Sequence, residues 1–277
     1  MEITRILARD LFAGQTVFIT GGGSGINLGI AKNLAALGAN VAICGRTQEK
    51  LDAAADELRA MGAKVSAVAA DVRDIDALKA AMEAARESLG TISVVVAGAA
   101  GNFPAAAEKL SSKGFETVVD IDLVGAFNTA NAAFDQLRET KGSLIFISAG
   151  QAFSPYAWQV HVCAAKAGID NMMRTLALEW GRFGIRANSI VPGPIKDTEG
   201  MKRLAPPGMD DKVAQAVPLK RMGTVDDIGQ TACFLASPLA SYVSGSLIMV
   251  DGGQNLEGSG RWTELMAAGI RDKSDDM

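Results

Sequence analysis

Short runs of β-branched and apolar residues alternate along the chain with longer, alanine-rich stretches whose apolar positions recur at helical period. The runs are TVFIT (16–20), NVAIC (40–44), KVSAVAA (64–70), ISVVVAG (92–98), SLIFIS (143–148), IRANSIV (185–191) and SLIMV (246–250). Several are apolar at successive positions, the pattern of a strand covered on both faces. Between them the spacing predicts helices over 25–37, 48–61, 74–88, 114–138, 158–181 and 225–236, with Glu, Lys and Arg on the outer faces. This alternation predicts a doubly wound parallel α/β sheet of about seven strands with helices on both sides. No linker or shift of composition interrupts it, so 1–277 reads as a single domain. One segment, 193–222, is rich in Pro, Gly and charge and breaks the alternation at the end of a strand. It is expected to be a lid over a ligand. The tail 254–277 is polar apart from a patch at Trp262, Leu265 and Met266.

Composition narrows the function classes. The chain has 277 residues, 48% hydrophobic and 21% charged, enough for a large core. Its formal net charge is −4, with lysines and arginines scattered, so no nucleic-acid partner is expected. No apolar run approaches the roughly 20 residues of a spanning helix, so no membrane partner is expected either. Three cysteines without ligand spacing and one histidine argue against a metal site. The first residues lack a signal-peptide core, and the last three, DDM, do not match a peroxisomal S-K-L ending. The expectation is a cytoplasmic protein.

The chemistry begins where the first strand runs into TGGGSGINLG (20–29). Glycines let a backbone approach a pyrophosphate, and a helix N-terminus supplies N–H donors. Gly21, Ser24, Gly25 and Ile26 are therefore candidate cofactor residues. The second strand ends Cys44-Gly45-Arg46, where an acidic side chain would hold the ribose hydroxyls of NAD. Arg46 instead offers a planar fork suited to a 2′-phosphate, which points to NADP(H). Asp71, past the third strand, is placed to accept from an adenine amino group or neighbouring backbone N–H groups.

The pieces TGGGSGI, the DV at 71–72, the AK at 165–166, IRANSIVPGPI (185–195) and SYVSGSLIMVDGG (241–253) together resemble the short-chain dehydrogenase/reductase family. The resemblance covers nearly the whole chain. It implies a nicotinamide cofactor that also touches Val72, Ala99, Lys166, Pro192, Gly193, Ile195 and Thr198. It further implies a homotetramer built through helices like 114–138 and 158–181. The departures are informative. The third loop glycine is Asn27, near the expected pyrophosphate, and the motif after the fourth strand reads AGAAG (97–101). The family's Tyr, Ser and Asn positions hold Val162, Ala149 and Asp122, and only Lys166 survives of the catalytic set.

Within the family, AAGNF (99–103), DIDLVGAFN (120–128), QVH…AAKAGID (159–170), PGPIKDTEGMKRL (192–204) and LASPLASYVSG (235–245) resemble the peroxisomal type of 2,4-dienoyl-CoA reductase. That resemblance implies an Asp122–Lys166 catalytic pair and an acyl-CoA-type substrate. The chemistry is compatible with a missing tyrosine. Hydride addition to a conjugated dienoyl thioester sends charge to the thioester oxygen, which needs preorganised donors, and a carbon is then protonated. A water held by Asp122 beside Lys166 is the expected proton source. Asn102, the backbone at Phe103 and Ser148 are candidate donors to the thioester oxygen, and helical spacing places Gln159 with Lys166. His161 is expected to be a packed histidine looking partly away. Tyr156 is expected at the rim. A Ser148–His161–Asp122 hydrolase lacks a nucleophile elbow. An alcohol or ketone oxidoreductase and an inactive NADP-binding scaffold stay open.

Overall fold

The computed structural model describes residues 2–204, 208 and 210–259. The apolar patch at Trp262, Leu265 and Met266 lies outside them. Seven strands form one sheet: β1 (Thr16–Thr20), β2 (Asn40–Gly45), β3 (Val65–Ala69), β4 (Ile92–Ala97), β5 (Ser143–Ile147), β6 (Arg186–Pro192) and β7 (Leu247–Val250). All neighbours pair in parallel, in the order β3-β2-β1-β4-β5-β6-β7. This confirms the doubly wound sheet expected from the pattern.

Helices cover both faces because parallel strands need crossovers. On one side α1 (Gly25–Ala36), α2 (Gln48–Ala60) and α9 (Val225–Ala236) pack on Val17, Ile19, Val41, Ile43, Val96 and Ile145. On the other, α3 (Ile75–Leu89), α5 (Gly125–Thr140) and α6 (Val160–Trp180) pack on Phe18, Ala42, Val95, Leu144 and Phe146. Successive residues of each strand enter opposite cores, the period of two that a pleat imposes. No helix among the described residues is long and apolar enough to cross a membrane.

One expectation about local structure is corrected. The helix expected over 114–138 is α4 (Ser112–Val119), one π-helical turn (Asp120–Val124) and α5. The wider turn shifts the side-chain register in mid-helix and carries Asp122 into the interior, 1% exposed. Hydrophobic periodicity averages across a single wide turn, which hides it from the sequence. Segment 193–222, expected to break the alternation, leaves β6 at the cleft edge. It is anchored by a parallel bridge between Ile195 and Gly223 and carries α7 (Glu199–Leu204) and α8 (Asp210–Ala216).

The return from this segment into α9 is fixed electrostatically. Thr224 and Asp227 form a reciprocal capping box, and Arg221 grips Asp227 with two hydrogen bonds of 2.9 Å. The Arg221 guanidinium is the main reason the Asp227 carboxyl is held down at about 2. A depressed carboxylate stabilises the fold above its ordinary titration range and stops doing so as pH falls through the folded value. The melting-temperature gap between wild type and Asp227→Asn should therefore be full at pH above about 5 and close as pH falls toward about 2. Scanning calorimetry across that range checks it.

Candidate active site

The sheet order reverses between β1 and β4, so the crossovers leaving these strands diverge and open a crevice at the carboxyl edge. A cleft of about 470 Å³ occupies that place. Gly21 (φ 69°) turns the chain from β1 toward α1, a backbone region that favours glycine. Ser24 occupies the N-cap of α1 without a side-chain capping bond, so its hydroxyl and the helix N–H groups remain available to a ligand. Glycines 21, 23, 25, 45, 98 and 193 line the cleft, leaving backbone rather than side chains on its walls.

Every expected cofactor residue lines this one cleft: Gly21, Ser24, Gly25, Ile26, Arg46, Asp71, Val72, Ala99, Lys166, Pro192, Gly193, Ile195 and Thr198. Arg46 stands at one end with Thr47 and Lys50. The sequence reading missed Lys50, which follows Arg46 by one helical turn and adds a second cation. It also missed Arg73, whose guanidinium takes both oxygens of Asp71 at 3.0 and 2.6 Å. That pairing is the largest reason the Asp71 carboxyl is held below its ordinary range. At the other end the Thr198 hydroxyl donates to the Ile195 carbonyl (2.8 Å) and accepts from Met201 N–H (3.3 Å), so it fixes the start of α7.

The chemistry-bearing residues meet beside the end of β5, where Lys166 lines the cleft and Asp122 lies buried behind it. Lys166 Nζ lies 3.2 Å from Asp122 Oδ2 and donates to the Ile147 carbonyl at 3.1 Å. Asp122 Oδ1 accepts the Gly101 N–H at 2.6 Å. The aspartate is thus held between α6 and the chain leaving β4, and Lys166 presents the pair to the cleft. Val162, one turn before Lys166, is 3% exposed and offers no hydroxyl. Beneath the lysine, burial raises the Asp170 carboxyl above its ordinary range, opposed by the adjacent hydroxyls of Ser148 and Ser189.

The expected substrate contacts divide. Asn102 and Ser148 line the cleft, and Asn102 Oδ1 is buried without a hydrogen-bond partner among the described residues. Gln159 and Phe103 do not line it. Gln159 is buried, and its amide donates to the carbonyls of Phe103 and Trp158, each at 3.3 Å. It supports the 99–103 segment from behind, because α6 begins only at Val160 and residue 159 lies outside the helical register. Phe103 packs on His161 in a tilted arrangement, with ring centroids 4.5 Å apart and planes at 50°. His161 is packed as expected and does not line the cleft: it is fully buried, and burial lowers its pKa against the opposing pull of the Phe103 backbone and Asp122. The Tyr156 hydroxyl folds back toward Gly150, where an added Cβ would lie 3.2 Å from it. Burial, Asp251 and Cys163 raise its pKa, in that order. Arg203 of α7 reaches across to the Asn102 carbonyl at 3.4 Å.

A family model described as enoyl-(acyl carrier protein) reductase matches residues 21–255. The peroxisomal 2,4-dienoyl-CoA reductase SPS19 of Saccharomyces cerevisiae is 43% identical over 88% of this chain and 85% of that protein. A peroxisomal 2,4-dienoyl-CoA reductase of Arabidopsis thaliana is 42% identical over 88% and 85%. Both are named as producing (3E)-enoyl-CoA. An NADPH-bound short-chain oxidoreductase of Pseudomonas aeruginosa PAO1, described as containing an atypical catalytic centre, superimposes with TM-score 0.82. It is 29% identical, covering 87% of this chain and 97% of that one. The cytoplasmic expectation is overturned by these relatives, which are peroxisomal enzymes. It rested on composition and chain ends, and the make-up of a folded domain carries no address. The chain belongs to the short-chain dehydrogenase/reductase family of oxidoreductases and is similar to its 2,4-dienoyl-CoA reductases.

Proposed function

We propose that the protein is an NADPH-dependent 2,4-dienoyl-CoA reductase. The observation that carries this reading is the buried Asp122–Lys166 ion pair at 3.2 Å with Val162 in place of a hydroxyl. An enzyme that reduces a carbonyl must protonate its oxygen, and a hydroxyl donor suits that task. Reduction of a dienoyl thioester makes a different demand: the thioester oxygen needs donors, and the proton goes to carbon.

The residues fit a nicotinamide cofactor. The glycine-lined wall admits a pyrophosphate against the start of α1, and Pro192, Gly193 and Ile195 form the shelf at the far end. When bound, the cofactor supplies the hydride. Arg46 and Lys50 give its adenosine end two cations, which favour a 2′-phosphate over a bare ribose. The NADPH-bound relative supports that choice. Lys166 orients the nicotinamide ribose, and Asn102 and Ser148 offer the thioester oxygen its donors. Asp122 holds Lys166 in place, and a water on this pair delivers the proton to the α carbon. With hydride at the δ carbon, the product is the 3-enoyl thioester, as in the names of the relatives. Segment 193–222 serves as the lid, closed by Arg203 on Asn102. Exposed Phe127, Val160 and Leu178 on α5 and α6 support a homotetramer through those helices.

Purified protein with NADPH and 2,4-hexadienoyl-CoA should consume both and yield the 3-enoyl thioester, followed by cofactor absorbance and mass spectrometry. An unreduced diene, with the cofactor bound normally, overturns the reading. For the cofactor, Arg46→Ala should raise the KM for NADPH about tenfold, roughly 1.4 kcal/mol, and barely change that for NADH. Equal effects on both would remove Arg46 from phosphate recognition.

A further inference from the structure

Asn27 and Gly98 follow different strands, β1 and β4, and meet across the wall of the cofactor cleft. Asn27 Nδ2 donates to the Gly98 carbonyl at 2.8 Å and to the Gly21 carbonyl at 3.3 Å. One amide thus joins the turn that leaves β1 to the chain that leaves β4. Its orientation follows from chemistry: the flipped amide would set an oxygen against two carbonyl oxygens. Only the amide nitrogen is satisfied, since Asn27 Oδ1 is buried without a hydrogen-bond partner among the described residues, and the fit at Gly98 is one of space. A Cβ at Gly98 would lie 2.6 Å from Asn27 Cγ and 2.8 Å from Nδ2, and one at Gly21 would lie 2.9 Å from Nδ2. Asn27 therefore occupies the volume that a side chain at 98 would fill. Asn27 still lines the cleft, with its amide nitrogen engaged by these two carbonyls.

We propose that Asn27 and Gly98 are a matched pair that sets the separation of the two turns flanking the cofactor cleft, with Asn27 as a positioning residue. The pair explains how the chain keeps a side chain where a glycine is usual and still leaves the cleft open. Asn27 is turned inward, and the glycine at 98 makes room for it. The inference rests on the nicotinamide reading of the cleft.

The test is a double-mutant cycle of Asn27→Gly and Gly98→Ala, read by cofactor affinity and by melting of the cofactor-free protein. Gly98→Ala should weaken NADPH binding about tenfold in the Asn27 background and less than about twofold in the Asn27→Gly background. The cofactor-free melting temperature should show the same non-additivity. In steady state, Asn27→Gly should raise the KM for NADPH by a larger factor than it lowers kcat. Asn27→Asp has no N–H donors for the two carbonyls, so it should bind cofactor more weakly than Asn27→Gly. Folding of Gly98→Ala only when Asn27 is also replaced supports the pair. Additive effects in both readouts, or wild-type affinity in Asn27→Asp, overturn it. Binding of NADPH and NADH by the wild type is measured first. Failure there overturns the cofactor reading, and the melting cycle of the cofactor-free protein still judges the pair.

Discussion

Asp122→Ala is expected to lower kcat by about a hundredfold to ten-thousandfold, the range for losing a positioned proton-transfer group. The same change should destabilise the protein by about 3–5 kcal/mol, because it leaves Lys166 buried without its partner. Both effects follow from one arrangement. The carboxylate is 1% exposed and serves two masters, Lys166 at 3.2 Å and the Gly101 N–H at 2.6 Å. Removing it frees the lysine and also releases the segment that carries Asn102 and Phe103. Stopped-flow turnover and denaturant melts on the same preparation separate the two losses. A variant that keeps turnover within threefold of wild type removes Asp122 from the mechanism.

The double variant Asp122→Asn with Lys166→Met is the second result with a large expected size. Replacing a buried ion pair by neutral groups of similar volume is often neutral or stabilising. An asparagine retains an oxygen for the Gly101 N–H, while the Ile147 carbonyl loses the lysine donor. The double variant should therefore melt within about 1 kcal/mol of wild type, the size of one lost hydrogen bond. Lys166→Met alone should melt well below it. Turnover should remain down by about a hundredfold or more in the double variant, since neutral groups restore packing and not proton transfer. Restored turnover along with restored stability would make the pair purely structural.

The elements of the fold were legible because the signal is dense. A parallel strand buried on both faces needs successive apolar residues, and β1, β2, β4 and β5 show them. All thirteen expected cofactor residues line the same cleft, because they sit on the turns at the carboxyl edge, whose chain positions the strands dictate. The substrate side was less legible. Gln159 was placed with Lys166 by helical spacing, but α6 starts one residue later and its carboxamide supports Phe103 instead. His161 is the packed histidine expected, but its partner Phe103 was not foreseen. Arg73 lies two residues from Asp71 and nothing in its spacing announces a bidentate pair, since that depends on how the turn after β3 folds back.

By itself the sequence determined the doubly wound sheet, the family, the glycine turn at the start of α1 and the survival of Lys166 beside a valine. These are properties of residue type and order, read one element at a time. Only the tertiary structure decided that Asp122 faces Lys166 and that Asn27 fills the room left at Gly98. The first depends on a single wide turn that rotates a side chain inward, and the second on two turns 71 residues apart sharing one small volume. Neither the rotation nor the shared volume leaves a periodic trace, because both arise where elements meet.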